Sequence, residues 1–198
     1  MRAIGKTDPD LMGFIFYPGS PRFMASHLTP EDLDMLPFDI IRTGVFVNES
    51  IDEIIRIAKA YKLLAVQLHG SETPETCEIL SNEGLQVLKA FSITDDFDFE
   101  LTSAYSSSCR FFIFDSPGKG HGGNGIPFNW EKLQSYHGET EFLLSGGIQA
   151  EDIVELKALK HPKLAGFDIN SKFEIQPGEK DVKKVRRFIN TIRSSTIR

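Results

Sequence analysis

Seven continuous apolar runs alternate strictly with seven amphipathic stretches along this chain, and that alternation restricts the fold more than any single residue does. The runs at 11–17, 40–47, 65–69, 86–91, 110–115, 141–145 and 164–169 read as strands with both faces covered. The stretches at 29–36, 50–61, 73–82, 95–104, 129–136, 149–159 and 180–192 read as helices. Their starts carry stereochemical signals. Thr29-Pro30 with Asp32, and Thr73-Pro74-Glu75, combine a capping hydroxyl, a proline in the first turn and an early acid. Ser50 stands three residues before Glu53, as in a capping box.

Repeated βα units without a hairpin signal predict an α/β fold with a parallel sheet. Each unit takes about 25 residues, and this uniformity favours a (β/α)8 TIM barrel over a doubly wound seven-stranded sheet. No linker or shift in composition divides residues 1–198, so one domain is expected. The count is one unit short. Residues 1–10 hold no strand, so strand 1 and most of helix 1 of such a barrel are expected to be missing. Two open sheet edges would then favour pairing into a homodimer.

Composition narrows the functional classes. The net charge is −6 with no Lys/Arg-rich face, which argues against nucleic acid and anionic lipid as partners. No apolar run approaches the ~20 residues of a membrane span. Cys77 and Cys109 show neither a CxxC motif nor Cys/His metal spacing, and no signal peptide is evident. A reduced, cytoplasmic setting without a metal is expected.

In parallel α/β folds, chemistry gathers in the loops beyond the strand C-termini. After the first run, prolines 18 and 21 and Gly19 stiffen a turn that holds Arg22, a guanidinium suited to a carboxylate or phosphate. After the third, Gln67 is expected to point inward and His69 to reach a ligand, or to be bonded within its own loop. The fifth ends in Asp115, either a candidate general acid or a loop-capping Asx residue. It is followed by a glycine-rich stretch at 118–125. That stretch matches G-x-G-x-x-G twice, but it is too long for a dinucleotide turn and reads better as a lid in which His121 shields substrate. The last two loops contain Gly146-Gly147 and Asn170-Ser171, where backbone N–H groups commonly hold a phosphate. The basic run 180–187 reads as a solvated helix face.

Together these stretches resemble the phosphoribosylanthranilate isomerase family. The resemblance rests on Met12 to Arg22 (MGFIFYPGSPR), Gly44 to Asn48 (GVFVN), Val66 to Gly70 (VQLHG) and Phe114-Asp115-Ser116. It continues through Gly122 to Gly125 with Phe128-Asn129-Trp130, Leu144 to Ile148 (LSGGI), Gly166 to Ser171 (GFDINS), Glu174, Pro177-Gly178 and Lys180-Asp181. It implies a (β/α)8 barrel acting on a phosphosugar, N-(5-phosphoribosyl)anthranilate, by an Amadori rearrangement without metal or organic cofactor. It further implies Asp115 as general acid, Arg22 as the anthranilate carboxylate anchor, and Gly146, Gly147, Asn170 and Ser171 as the phosphate site. The family's general base is a cysteine in a Cys-Gly motif ending strand 1. No Cys-Gly occurs in this sequence, and Lys172 stands where the family usually has glycine. As it stands the chain is therefore expected to turn over poorly. Two alternatives remain open at this point. One is another phosphosugar barrel enzyme, for which Lys89 is the only tempting mouth lysine. The other is an inactive barrel that only binds a phosphate ligand or a partner.

Overall fold

The computed structural model describes residues 1–24, 27–117 and 128–194. The glycine-rich stretch at 118–125, including His121, lies outside the described residues. Seven parallel strands form one sheet: β1 (Leu11–Ile15), β2 (Ile41–Phe46), β3 (Ala65–Leu68), β4 (Gln86–Ser92), β5 (Phe111–Asp115), β6 (Phe142–Leu144) and β7 (Leu164–Phe167). Their spatial order is their sequence order. A doubly wound sheet reverses order at a switch point. Uninterrupted sequential winding is that of a (β/α)8 barrel, here with seven strands among the described residues.

Strand side chains alternate between the two faces, so parity assigns each residue to one side. Ala65, Leu88, Ala90 and Ile113 form one buried cluster, with Leu11, Ile41, Phe111 and Leu143 packed against it. This is the inner face. Counting on by two from Ala65, Ile113 and Leu143 reaches Gln67, Asp115 and Ser145. The inner face is therefore apolar near the strand starts and polar at their C-terminal rim.

The other parity faces the helices: α1 (Arg2–Gly5), α2 (Pro30–Leu33), α3 (Ile51–Tyr61), α4 (Pro74–Asn82), α5 (Ile153–Ala158) and α6 (Val182–Arg193). The anticipated capping hydroxyls are in place, but Ser50 and Glu53 form only half of the expected capping box: the Ser50 N–H donates to Glu49 Oε1 and the Glu53 carboxylate holds Arg56. Thr29 and Asp32 form a reciprocal capping box, and the Ser50 and Thr73 hydroxyls accept from the backbone N–H of Glu53 and Thr76. Behind β4–β6 the outer layer is aromatic. Phe114 meets Phe142 at 4.7 Å, Tyr136 at 5.1 Å and Phe99 at 5.2 Å between ring centroids.

Four expectations need correction. The stretch 95–104 is a 3₁₀ helix over Phe99–Tyr105, and 129–136 is one over Trp130–Ser135. In the first, the hydroxyls of Thr102, Ser103 and Ser106 donate to the carbonyls three residues back, at 2.7 Å each. Such side-chain bonds compete with the α-helical ladder. The helix expected at 29–36 ends at Leu33. A hairpin absent from the sequence reading joins β8 (Glu174–Gln176) to β9 (Glu179–Lys180), turning through Gly178 at φ +84°. Lys180 thus belongs to this hairpin and not to a solvated helix face. Among the described residues, no helix is long and apolar enough to cross a membrane.

Candidate active site

Asp115 closes β5 and is 5% exposed. Its Oδ1 accepts from the Ser116 backbone N–H at 2.8 Å, and its Oδ2 lies 3.1 Å from His69 Nε2. The Gln67 amide nitrogen stands 3.1 Å from His69 Nδ1. An amide NH₂ only donates, so Nδ1 accepts and the ring proton resides on Nε2, aimed at Asp115. Gln67, inward by parity, thereby selects the tautomer of His69, and His69 joins β3 to β5 across the mouth.

The β6 loop reaches the same carboxylate from the other side. Gly146 and Gly147 have φ of +87° and +68°. A Cβ on Gly146 would stand 2.3 Å from Ser116 Oγ and 2.6 Å from Asp115 Oδ1. Glycine is required there both by conformation and by contact. Gly146→Ala is expected to cost about 1–3 kcal/mol in urea unfolding and to displace the Asp115–Ser116 turn, with activity falling beyond what the lost stability explains. Beyond the glycines, a reciprocal Gln149–Asp152 cap starts a short helical turn.

Asp168 follows β7 and was not among the residues singled out from sequence. Ser145 Oγ donates to its Oδ2 at 2.8 Å. Burial pushes the Asp168 carboxyl up from the usual carboxylate range, the Ser145 bond opposes this, and neighbouring Asp115 adds to it. A raised native pKa favours folding while the acid is protonated, and this contribution is lost as pH rises from the unfolded value toward the native one. Asp168→Asn is therefore expected to be more stable than wild type at neutral pH. The gap should close as pH falls to about 4, as followed by urea midpoints across that range.

Arg22 and the late loops meet at Glu174. Arg22 Nη2 lies 2.7 Å from Glu174 Oε2, and Lys180 Nζ lies 2.7 Å from Oε1. Lys180 also donates to the Asn170 side chain. Burial alone would raise the Glu174 carboxyl, but its bonds to Arg22 and Lys180 prevail and hold it low. Burial pulls the Lys180 ammonium below its usual range, against the pull of Glu174. Asn170 precedes a 3₁₀ turn at Ser171–Phe173.

The structure thus brings His69 and the Gly146 turn directly against Asp115, joins Arg22 to the hairpin through Glu174, and links Asn170 to that hairpin through Lys180. Sequence reading quoted Asp168, Glu174 and Lys180 within the resemblance but gave none of them a role. Strand parity carried on from Gly166 places Asp168 on the inner side. The Arg22–Glu174 pairing across 152 positions of sequence carries no local signal. Lys89 does not face the mouth as a free amine. It is buried against Glu72 at 3.1 Å and also donates to the carbonyls of Leu68, Gly70 and Ala90. Cys77 and Cys109 are buried and stand at no strand C-terminus. The neighbouring Cys77 thiol and burial hold the Cys109 thiol above its usual range. A cavity of about 600 Å³ opens at the opposite end of the sheet. There Arg110 is paired with Glu141 and Lys163 with Glu139. The described residues contain no His/Cys/Asp/Glu group arranged to hold a metal.

Comparisons of the whole chain with known proteins converge on one family. A family model described as N-(5'-phosphoribosyl)anthranilate (PRA) isomerase matches residues 1–191. The N-(5'-phosphoribosyl)anthranilate isomerase of Phocaeicola vulgatus is 44% identical over 193 residues, covering 98% of this chain and 92% of that protein. The phosphoribosyl anthranilate isomerase of Thermotoga maritima superposes with a TM-score of 0.84 at 28% identity, covering 97% of this chain and 92% of that one. A phosphoribosyl anthranilate isomerase solved with reduced 1-(o-carboxyphenylamino)-1-deoxyribulose 5-phosphate gives a TM-score of 0.81 at 27% identity, covering 97% and 91%.

Proposed function

This chain belongs to the N-(5'-phosphoribosyl)anthranilate isomerase family of tryptophan biosynthesis, and from that premise we propose the parts its residues take in the Amadori rearrangement. Asp115 is the general acid. It stands at the rim of the inner face with one oxygen on His69 and the other on the backbone, so its proton is delivered from a fixed position. Protonation of the furanose ring oxygen opens the ring to a Schiff base. Loss of the C2′ proton then gives an enolamine that tautomerises to the ketone. The Nε2–H of His69 donates to Asp115 and keeps its carboxyl oriented toward the ring oxygen.

Arg22 grips the anthranilate carboxylate, for which a planar fork of N–H donors is suited. Gly146, Gly147, Asn170 and Ser171 form the phosphate site. The consecutive left-handed glycines let the backbone come close to an anion, and Lys180 adds a cation beside Asn170. Removal of the C2′ proton falls, by family resemblance, to a cysteine in a Cys-Gly motif, and that motif does not occur in the 198 residues.

The observation that carries this reading is the convergence of Asp115, His69 and the Gly146 turn at one strand-end rim, within a chain matched along nearly its whole length. The test is the isomerisation of fresh phosphoribosylanthranilate, followed by loss of its fluorescence. The 198-residue chain is compared with a version carrying an added N-terminal strand that ends in Cys-Gly. Slow turnover by the first and fast turnover by the second are expected. A folded Cys-Gly version that binds the reduced product analogue yet converts no substrate would refute the assignment.

A further inference from the structure

The loop after β1 and the β8–β9 hairpin converge on one carboxylate whose side chain is 4% exposed, that of Glu174. Arg22 Nε donates to Oε1 at 3.0 Å and to Oε2 at 2.9 Å, and Arg22 Nη2 donates to Oε2 at 2.7 Å. Lys180 Nζ and the Gly178 N–H hold Oε1 from the other side, at 2.7 and 3.1 Å. A guanidinium has two donor edges, a lateral one made by Nε and Nη2 and an end-on one made by Nη1 and Nη2. Glu174 occupies the lateral edge. Among the described residues, no acceptor is assigned to Nη1, and the Arg22 side chain remains 22% exposed. One carboxylate between two cations leaves a net positive charge, so Glu174 orients Arg22 without cancelling the cluster's attraction for an anion.

Building on the isomerase reading above, we propose that Glu174 is a positioning residue that sets substrate specificity. By clamping the lateral edge of Arg22, it turns the end-on edge toward the ring carboxylate of the substrate and makes the site select carboxylate-bearing arylamines. Without the clamp, Arg22 must be ordered at the moment of binding, and its affinity for the carboxylate falls by that cost. The phosphate and ribulose portions do not depend on this contact.

Binding tests this without requiring turnover. Reduced 1-(o-carboxyphenylamino)-1-deoxyribulose 5-phosphate and its phenylamino counterpart lacking the carboxyl group are titrated calorimetrically into wild type, Glu174→Gln and Arg22→Met. Wild type should prefer the carboxylated ligand. In Glu174→Gln the carboxylated ligand should bind about tenfold more weakly while the carboxyl-free one is unchanged, so the preference collapses as it does in Arg22→Met. If Glu174→Gln fails to fold, Glu174→Asp, which keeps the charge but withdraws it by one methylene, takes the same readout. Equal weakening of both ligands, or a retained preference, overturns the role of Glu174. A wild type without any preference overturns the isomerase reading itself.

Discussion

Asp115→Asn lowers kcat by a factor of about 10²–10⁴ and leaves the fold intact. The substitution is nearly isosteric, and the amide oxygen still accepts from the Ser116 N–H or from His69. What disappears is the capacity to give a proton to the ring oxygen. The effect should fall on kcat, with binding of the reduced product analogue changed little. The measurement is steady-state isomerisation by the Cys-Gly version together with calorimetric binding. A kcat within a few-fold of the parent would show that Asp115 is a structural loop residue and that ring opening is driven from elsewhere.

Lys89→Met destabilises the protein by about 3–5 kcal/mol. Both partners of the Lys89–Glu72 pair have side chains only 3% exposed. Among the described residues, the substitution leaves the buried Glu72 carboxylate with only the Asn48 and Gly70 N–H groups to solvate it. It also frees the carbonyls of Leu68 and Gly70, the residues on either side of His69. Urea denaturation gives the stability change. The double variant Lys89→Met/Glu72→Gln should lose less than the single one, because no lone charge then remains. Additive losses would mean that packing, and not the ion pair, is what Lys89 contributes.

The legible and illegible parts of this fold separate by range. Strand identity, caps and winding are written in local pattern: continuous apolar runs, Thr29, Ser50 and Thr73 before acidic first turns, and one unit after another. Parity then carries Gln67, Asp115 and Ser145 to the inner rim. The 3₁₀ helix at Phe99–Tyr105 escapes because the hydroxyls of Thr102, Ser103 and Ser106 bond to carbonyls three residues back, a choice that hydrophobic periodicity does not register. The Glu174 clamp escapes because its partners are brought together only by the wound sheet. The β8–β9 hairpin escapes because strands of three and two residues leave too short a pattern to read.

The Arg22–Glu174 pair also bears on how the molecule assembles. It joins the segment after the first strand to the segment after the seventh, while Arg193 on α6 reaches back to Asp8 and Asp10 before β1. Each neighbouring strand pair closes a loop of one βα unit, whereas these bonds close nearly the entire chain. High sequence separation places such contacts late in folding, after the sequential strands have docked. A ligand that bridges Arg22 and the late loops fastens the same two ends. Amide hydrogen exchange in β1 should accordingly slow more than exchange in β3 or β4 when the reduced product analogue is added, so that occupancy is recorded at the seam of the sheet and not at its centre.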